Sequence, residues 1–145
     1  MDKQFFQIAQ VLSLCILLAA STALAQDRPI SVHVPFEFVA MEKTFFPGDY
    51  VVTPNPSDST LLIKSADQKQ AVFVLTNGVQ STRYQEVPKL VFNRFGDRYF
   101  LSEVWYDGTN VGRRLPVPPP ERRMTARGPA NTVEILAYRP GKGPR

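Results

Sequence analysis

Apolar and polar side chains alternate over residues 30–38: Ile30, Val32, Val34, Phe36 and Phe38 fall on one side, Ser31, His33, Pro35 and Glu37 on the other. A period of two belongs to a strand with one buried face. Pro35 has no N–H for a ladder, so this strand lies at an edge or bulges there. Pro47 and Gly48 occupy the central positions that a type II turn favours, and residues 49–53 predict a second strand beyond it. The prolines at 54 and 56 end that strand. Two β-branched, apolar runs at 59–65 and 70–76 flank the polar Ala66-Asp67-Gln68-Lys69 and predict a hairpin. Asn77-Gly78 reads as a further turn, followed by a short strand at 79–84.

The densest aromatic stretch, KLVFNRFGDRYFLSEVW at 89–105, predicts a hairpin turning at Phe95-Gly96-Asp97-Arg98, with Asp107-Gly108 as its stop. Pro116-Val117-Pro118-Pro119-Pro120 is a stiff spacer. Proline is accepted in a first helical turn, so Pro119 or Pro120 opens a short helix that runs to Arg127 and stops at Gly128-Pro129. Glu121 comes early in it and the arginines late, as a helix dipole prefers. Residues 132–138 predict a last strand, and 139–145, rich in glycine and proline, a disordered tail. About seven short strands with tight turns and one late helix indicate a mainly all-β fold, an antiparallel β-sandwich or small β-barrel, as one domain over 26–138 with the spacer and helix near 116–128.

The N-terminus changes the picture. Lys3, an apolar run over residues 8–20 and Ala23-Leu24-Ala25 have the layout of a signal peptide, with cleavage expected after Ala25. The alternative is an uncut membrane anchor, since the run approaches the minimum span. Cleavage would remove the single cysteine, Cys15, leaving a disulfide-free exported chain held by burial. The expected location is the periplasm or the secreted fraction. Charge is uneven along the remainder. Residues 26–107 carry 8 basic and 10 acidic side chains, whereas 108–145 carry 8 and 2.

Three segments, VPFEFVAMEKTFFPGDYVV at 34–52, AVFVLTN at 71–77 and the aromatic hairpin with GRRLP at 112–116, together resemble a group of small exported β-rich proteins common in Acidobacteria. The resemblance covers most of the chain after the signal and implies a signal-bearing single β domain. It carries over no activity, cofactor or catalytic residue. This chain departs from the group at 116–120, where similar sequences look more helical and charged.

Candidate chemistry is sparse. His33 is the only histidine, so neither a histidine triad nor a multi-histidine metal site can form within one chain, and no metal site or cofactor is expected. His33 and Glu37 read as solvent-facing. No G-x-S-x-G elbow, S-x-x-K or P-loop occurs. No catalytic residue is assigned, and a non-enzymatic binding or structural module is the leading expectation. Two alternatives remain. Phe92, Tyr99 and Trp105, with Glu103, could line a cavity for an apolar ligand in a small barrel. Glu103, near Trp105, could serve a hydrolase as acid or base with a second carboxylate such as Asp97 or Asp107. Finally, Arg113, Arg114, Arg122, Arg123 and Arg127 form a basic cluster suited to an anionic partner: lipid head groups, acidic polysaccharide or an envelope protein. Nucleic acid fits an exported chain less well, without a clear stacking platform.

Overall fold

The computed structural model describes residues 28–55 and 58–140. The signal peptide expected at 1–25, Pro56-Ser57 of the proline break, and the last five residues of the expected tail lie outside the described residues.

Pro35 divides the first predicted strand. β1 (Ile30–Val34) ends before it, and β2 (Phe38–Ala40) begins after it in the other sheet. The alternation read from the sequence is real, but the chain changes sheets where proline interrupts the ladder. β2 turns through Met41-Glu42 into β3 (Lys43–Phe45), pairing Ala40 with Lys43. Met41 has a φ of 59° there, a left-handed conformation that a tight turn imposes on a residue with no glycine-like signature. A type II turn needs about +80° at its second central residue. Gly48 has 157° and is instead the first residue of β4 (Gly48–Pro54), so the expected turn at Pro47-Gly48 is only a bend.

β5 (Thr60–Ser65) and β6 (Ala71–Leu75) form the predicted hairpin, and the first sheet runs β1-β4-β5-β6, antiparallel throughout. Thr76 then fixes the crossing to the second sheet, its N–H and Oγ1 both donating to the Ser59 carbonyl at 2.7 and 2.6 Å. Asn77-Gly78 is therefore not a turn. It opens β7 (Asn77–Gln85), whose Asn77 and Gly78 pair with Arg114 and Arg113.

The aromatic hairpin forms as expected. β8 (Lys89–Phe95) and β9 (Arg98–Trp105) are joined by Gly96-Asp97, with Phe95 opposite Arg98. Gly96 has a φ of 60° while Asp97 is not left-handed, the pattern of a II′ hairpin. β10 (Thr109–Arg114), the helix α1 (Pro119–Thr125) and β11 (Asn131–Leu136) complete the chain. The second sheet runs β11-β8-β9-β10-β7, and the β2-β3 hairpin joins β9 through a parallel Val39–Phe100 bridge. Among the described residues the result is a two-layered, mainly antiparallel sandwich with one short helix and no closed barrel, built from eleven short strands where the sequence pattern marks about seven.

The core lies between the sheets. Ile30, Val32, Val52, Leu61 and Ile63 from the first sheet meet Phe38, Phe45, Leu90, Phe92, Leu101 and Val104 from the second, all buried. Phe38 is its aromatic centre, with ring contacts to Phe45, Tyr50 and Phe92 at 5.1 to 5.4 Å. Arg139, at the start of the segment expected to be a tail, is held: its Nε donates to Asp107 Oδ2 at 2.9 Å, and its Nη2 lies 2.7 Å from Oδ1 in an ion pair. Burial opposes ionisation of that carboxyl, but the arginine outweighs it and holds Asp107 below the usual range.

Candidate functional site

The aromatic hairpin is covered on both faces. Leu90, Phe92, Leu101 and Val104 point into the sandwich, while Val91, Phe100 and Trp105 on the other face are 8 %, 0 % and 6 % exposed. An extra residue in β9 between the Phe92–Leu101 and Val91–Glu103 pairs marks a bulge. The four residues proposed from sequence as a ligand site accordingly split. Phe92 is fully buried, with an edge contact to Phe36 at 5.1 Å, and Phe36 stacks on Tyr99 at 3.8 Å. Glu103 and Trp105 lie on the opposite face of β9.

There Glu103 is an anchor. Its Oε2 accepts from Trp105 Nε1 at 2.9 Å, and its Oε1 accepts from Arg114 Nε and Nη2 at 3.0 and 2.7 Å. The cross-strand pairs Glu103–Arg114 and Trp105–Gly112 place all four residues side by side. Both carboxylate oxygens are thus occupied in fixing the indole over β10. Among the described residues no group of three or more His, Cys, Asp or Glu side chains could hold a metal.

His33 and Asp49 face each other across the β1–β4 pair with Nδ1 2.8 Å from Oδ1, both well exposed. Beside them a cleft of about 440 Å³ is lined by Phe46, Tyr50, Ser65, Asp67 and Gln70, among others. Its polar groups satisfy one another. The Tyr50 hydroxyl donates to the Phe46 carbonyl, Ser65 Oγ donates to Asp67 at 2.6 Å, and Gln70 binds the Phe46 N–H and the Thr44 carbonyl. Burial, with the nearby Asp67 charge, raises the Tyr50 pKa, so its hydroxyl stays protonated as a donor.

The arginines also separate in space. Arg114 is tied to Glu103, and Arg113, one residue earlier on β10, takes the opposite face and acts electrostatically on Asp58. Arg122 and Arg123 on α1 and Arg127 just beyond it are exposed and make no ion pair with a described residue. Arg123 and Arg127 are four apart, a spacing that puts them on one side of a helical turn.

Glu121 lies in the first turn of α1, as the sequence pattern predicts, but it also ties the helix to the sheet: it is 3 % exposed, and its Oε1 accepts from Asn93 Nδ2 of β8 at 2.8 Å. Burial raises its pKa, and the Asn93 hydrogen bond offsets this only in part. The folded chain thus keeps this proton more readily than the unfolded one. Stability contributed here is lost as pH rises from the ordinary glutamate value through the raised one. Glu121→Gln keeps the acceptor and removes the charge. It is expected to stabilise the protein by about 1 kcal/mol at pH 7 and to flatten the stability profile above pH 4, measured by thermal melts across pH 4 to 8. A variant less stable than the parent at pH 7 would contradict this.

Compared with known proteins, the chain matches no family model, no curated protein and no solved structure.

Proposed function

We propose that the chain is an exported, non-enzymatic β-sandwich module that holds to an anionic surface of the cell envelope through the outer side of α1. One observation carries the reading. The only acid of α1 is buried against β8, so the charged groups that the helix shows to solvent are Arg122 and Arg123, with Arg127 beside them, while Lys89, Arg114 and Arg139 are neutralised by Glu134, Glu103 and Asp107. Three arginines without a lysine favour phosphate- or carboxylate-bearing groups, which the guanidinium fork binds in a bidentate manner. Anionic lipid head groups are the leading partner.

Export is supported by the basic, apolar and Ala-x-Ala order of residues 1–25 and by the likeness to exported β domains. A binding role rather than a catalytic one is supported by Glu103, whose oxygens serve the packing of Trp105.

Co-sedimentation tests this with vesicles of anionic or purely zwitterionic phospholipid, and in parallel with an acidic polysaccharide. Binding to anionic vesicles is expected to weaken as salt rises from 0.05 M. Each basic side chain near such a surface is worth about 1 kcal/mol, so R122Q/R123Q/R127Q is expected to bind about 100-fold more weakly. Binding to the polysaccharide alone would move the partner there. Equal binding by the triple variant, or none to either material at 0.05 M salt, would overturn the proposal.

A further inference from the structure

The first sheet has two edges, and they differ. Beyond β1 the edge is closed, because Ser31 and Tyr138 exchange backbone hydrogen bonds at 2.7 and 2.8 Å. The β6 edge is open over part of its length. Gln70 accepts from Ser65 N–H and Thr76 donates to Ser59, so the even-numbered residues of β6 aim their backbone groups at β5. Ala71, Phe73 and Leu75 therefore aim theirs outward. Lys43 Nζ donates to the Ala71 carbonyl at 2.9 Å and blocks that end. What stays open is the backbone of Phe73 and Leu75, whose side chains are 75 % and 64 % exposed on the outer face of the sheet.

Edge strands are ordinarily guarded by charge. Other strands at open sheet margins carry such a group: Lys43 on β3, Arg83 on β7 and Glu134 on β11. β6, reading AVFVL, carries none.

We propose that β6 is a homodimer seam in which a second copy of this chain pairs with it antiparallel about a two-fold axis at Val74. This goes beyond the arginine reading and is independent of it. In that register Phe73 exchanges two backbone hydrogen bonds with Leu75 of the other copy, and Leu75 with its Phe73, which uses the open groups and leaves the Lys43 bond in place. The outward side chains then meet as two Phe–Leu cross-strand pairs beside Leu62, and no like charges are opposed. The contact is isologous and self-limiting, since the described residues of each copy offer one such edge and the Lys43 cap prevents a longer zipper.

Sedimentation velocity on protein purified after expression of the full coding sequence tests the seam. A five-residue edge is a small interface, so a weak dimer is expected, with a Kd of about 1–100 µM. Phe73→Asp alone and Leu75→Lys alone are each expected to weaken it at least tenfold. An equimolar mixture of the two is expected to regain dimer, because this register sets the new acid opposite the new base. Hydrogen exchange at the Phe73 and Leu75 amides of the unaltered protein gives a readout free of any folding defect, and it should slow as concentration rises. A chain monomeric to 200 µM, a dimer that survives Phe73→Asp, a mixture that stays monomeric, or exchange independent of concentration would overturn the proposal.

Discussion

Replacing Gly112 with alanine is expected to destabilise the protein by about 2–4 kcal/mol and to change its tryptophan emission. A Cβ at this position would lie 2.7 Å from Cδ2 and Cε3 of Trp105, closer than real contacts allow. The indole has no room to yield. It is almost fully buried, and its Nε1 is fixed to Glu103, which Arg114 holds from the other side. Relief must come from moving β10 off β9 or from breaking the Trp105–Glu103 bond. Trp105 is the only tryptophan in the chain, so its fluorescence reports this site alone. An alanine variant with unchanged melting and emission would show that the close packing of β10 on the indole is not present in solution.

Phe92→Ala is expected to cost about 3–5 kcal/mol, the range for deleting a buried aromatic ring. Phe92 is fully buried and meets Phe36 and Phe38 edge-on at 5.1 and 5.4 Å, so truncation leaves a void between β8 and the β2 region. The surrounding strands limit collapse into it. Denaturant titration measures the loss, with Tyr84→Ala at an exposed position of β7 as a control expected to change stability by under about 0.5 kcal/mol. A Phe92→Ala variant within 1 kcal/mol of the parent would mean that the hairpin's inner face is not core.

Much of this arrangement is legible in the chain. Gly96 with Asp97 between two apolar runs marks the β8–β9 hairpin because few other residues accept its left-handed first position. Pro119 and Gly128 bracket the helix for equally local reasons. The misreadings arise where local signals yield to tertiary contacts. Met41 enters a left-handed turn without a glycine or asparagine to announce it, and Asn77-Gly78, the strongest turn dipeptide in the sequence, is drawn into β7 by pairing with β10. Among the site residues, Arg113 and Arg114 are neighbours in sequence, yet strand alternation sends them to opposite faces of β10, a separation that is legible once the strand is recognised. The inward turn of Glu121 was not legible, because a seven-residue helix with an acid in its first turn does not reveal which side packs on a sheet. The open backbone of β6 is hidden for the same reason, since edge status belongs to the sheet and not to the strand.

The proposed function requires the aromatic hairpin to be interior and Arg122, Arg123 and Arg127 to be the groups that meet an anionic surface. An amide chemical-shift titration of the 15N-labelled protein with anionic bicelles tests it most directly. The account predicts shifts concentrated at Arg122, Arg123 and Arg127 that fade as salt is added, with β8 and β9 unchanged. Shifts centred on Tyr99, Glu103 and Trp105 with α1 silent would contradict it.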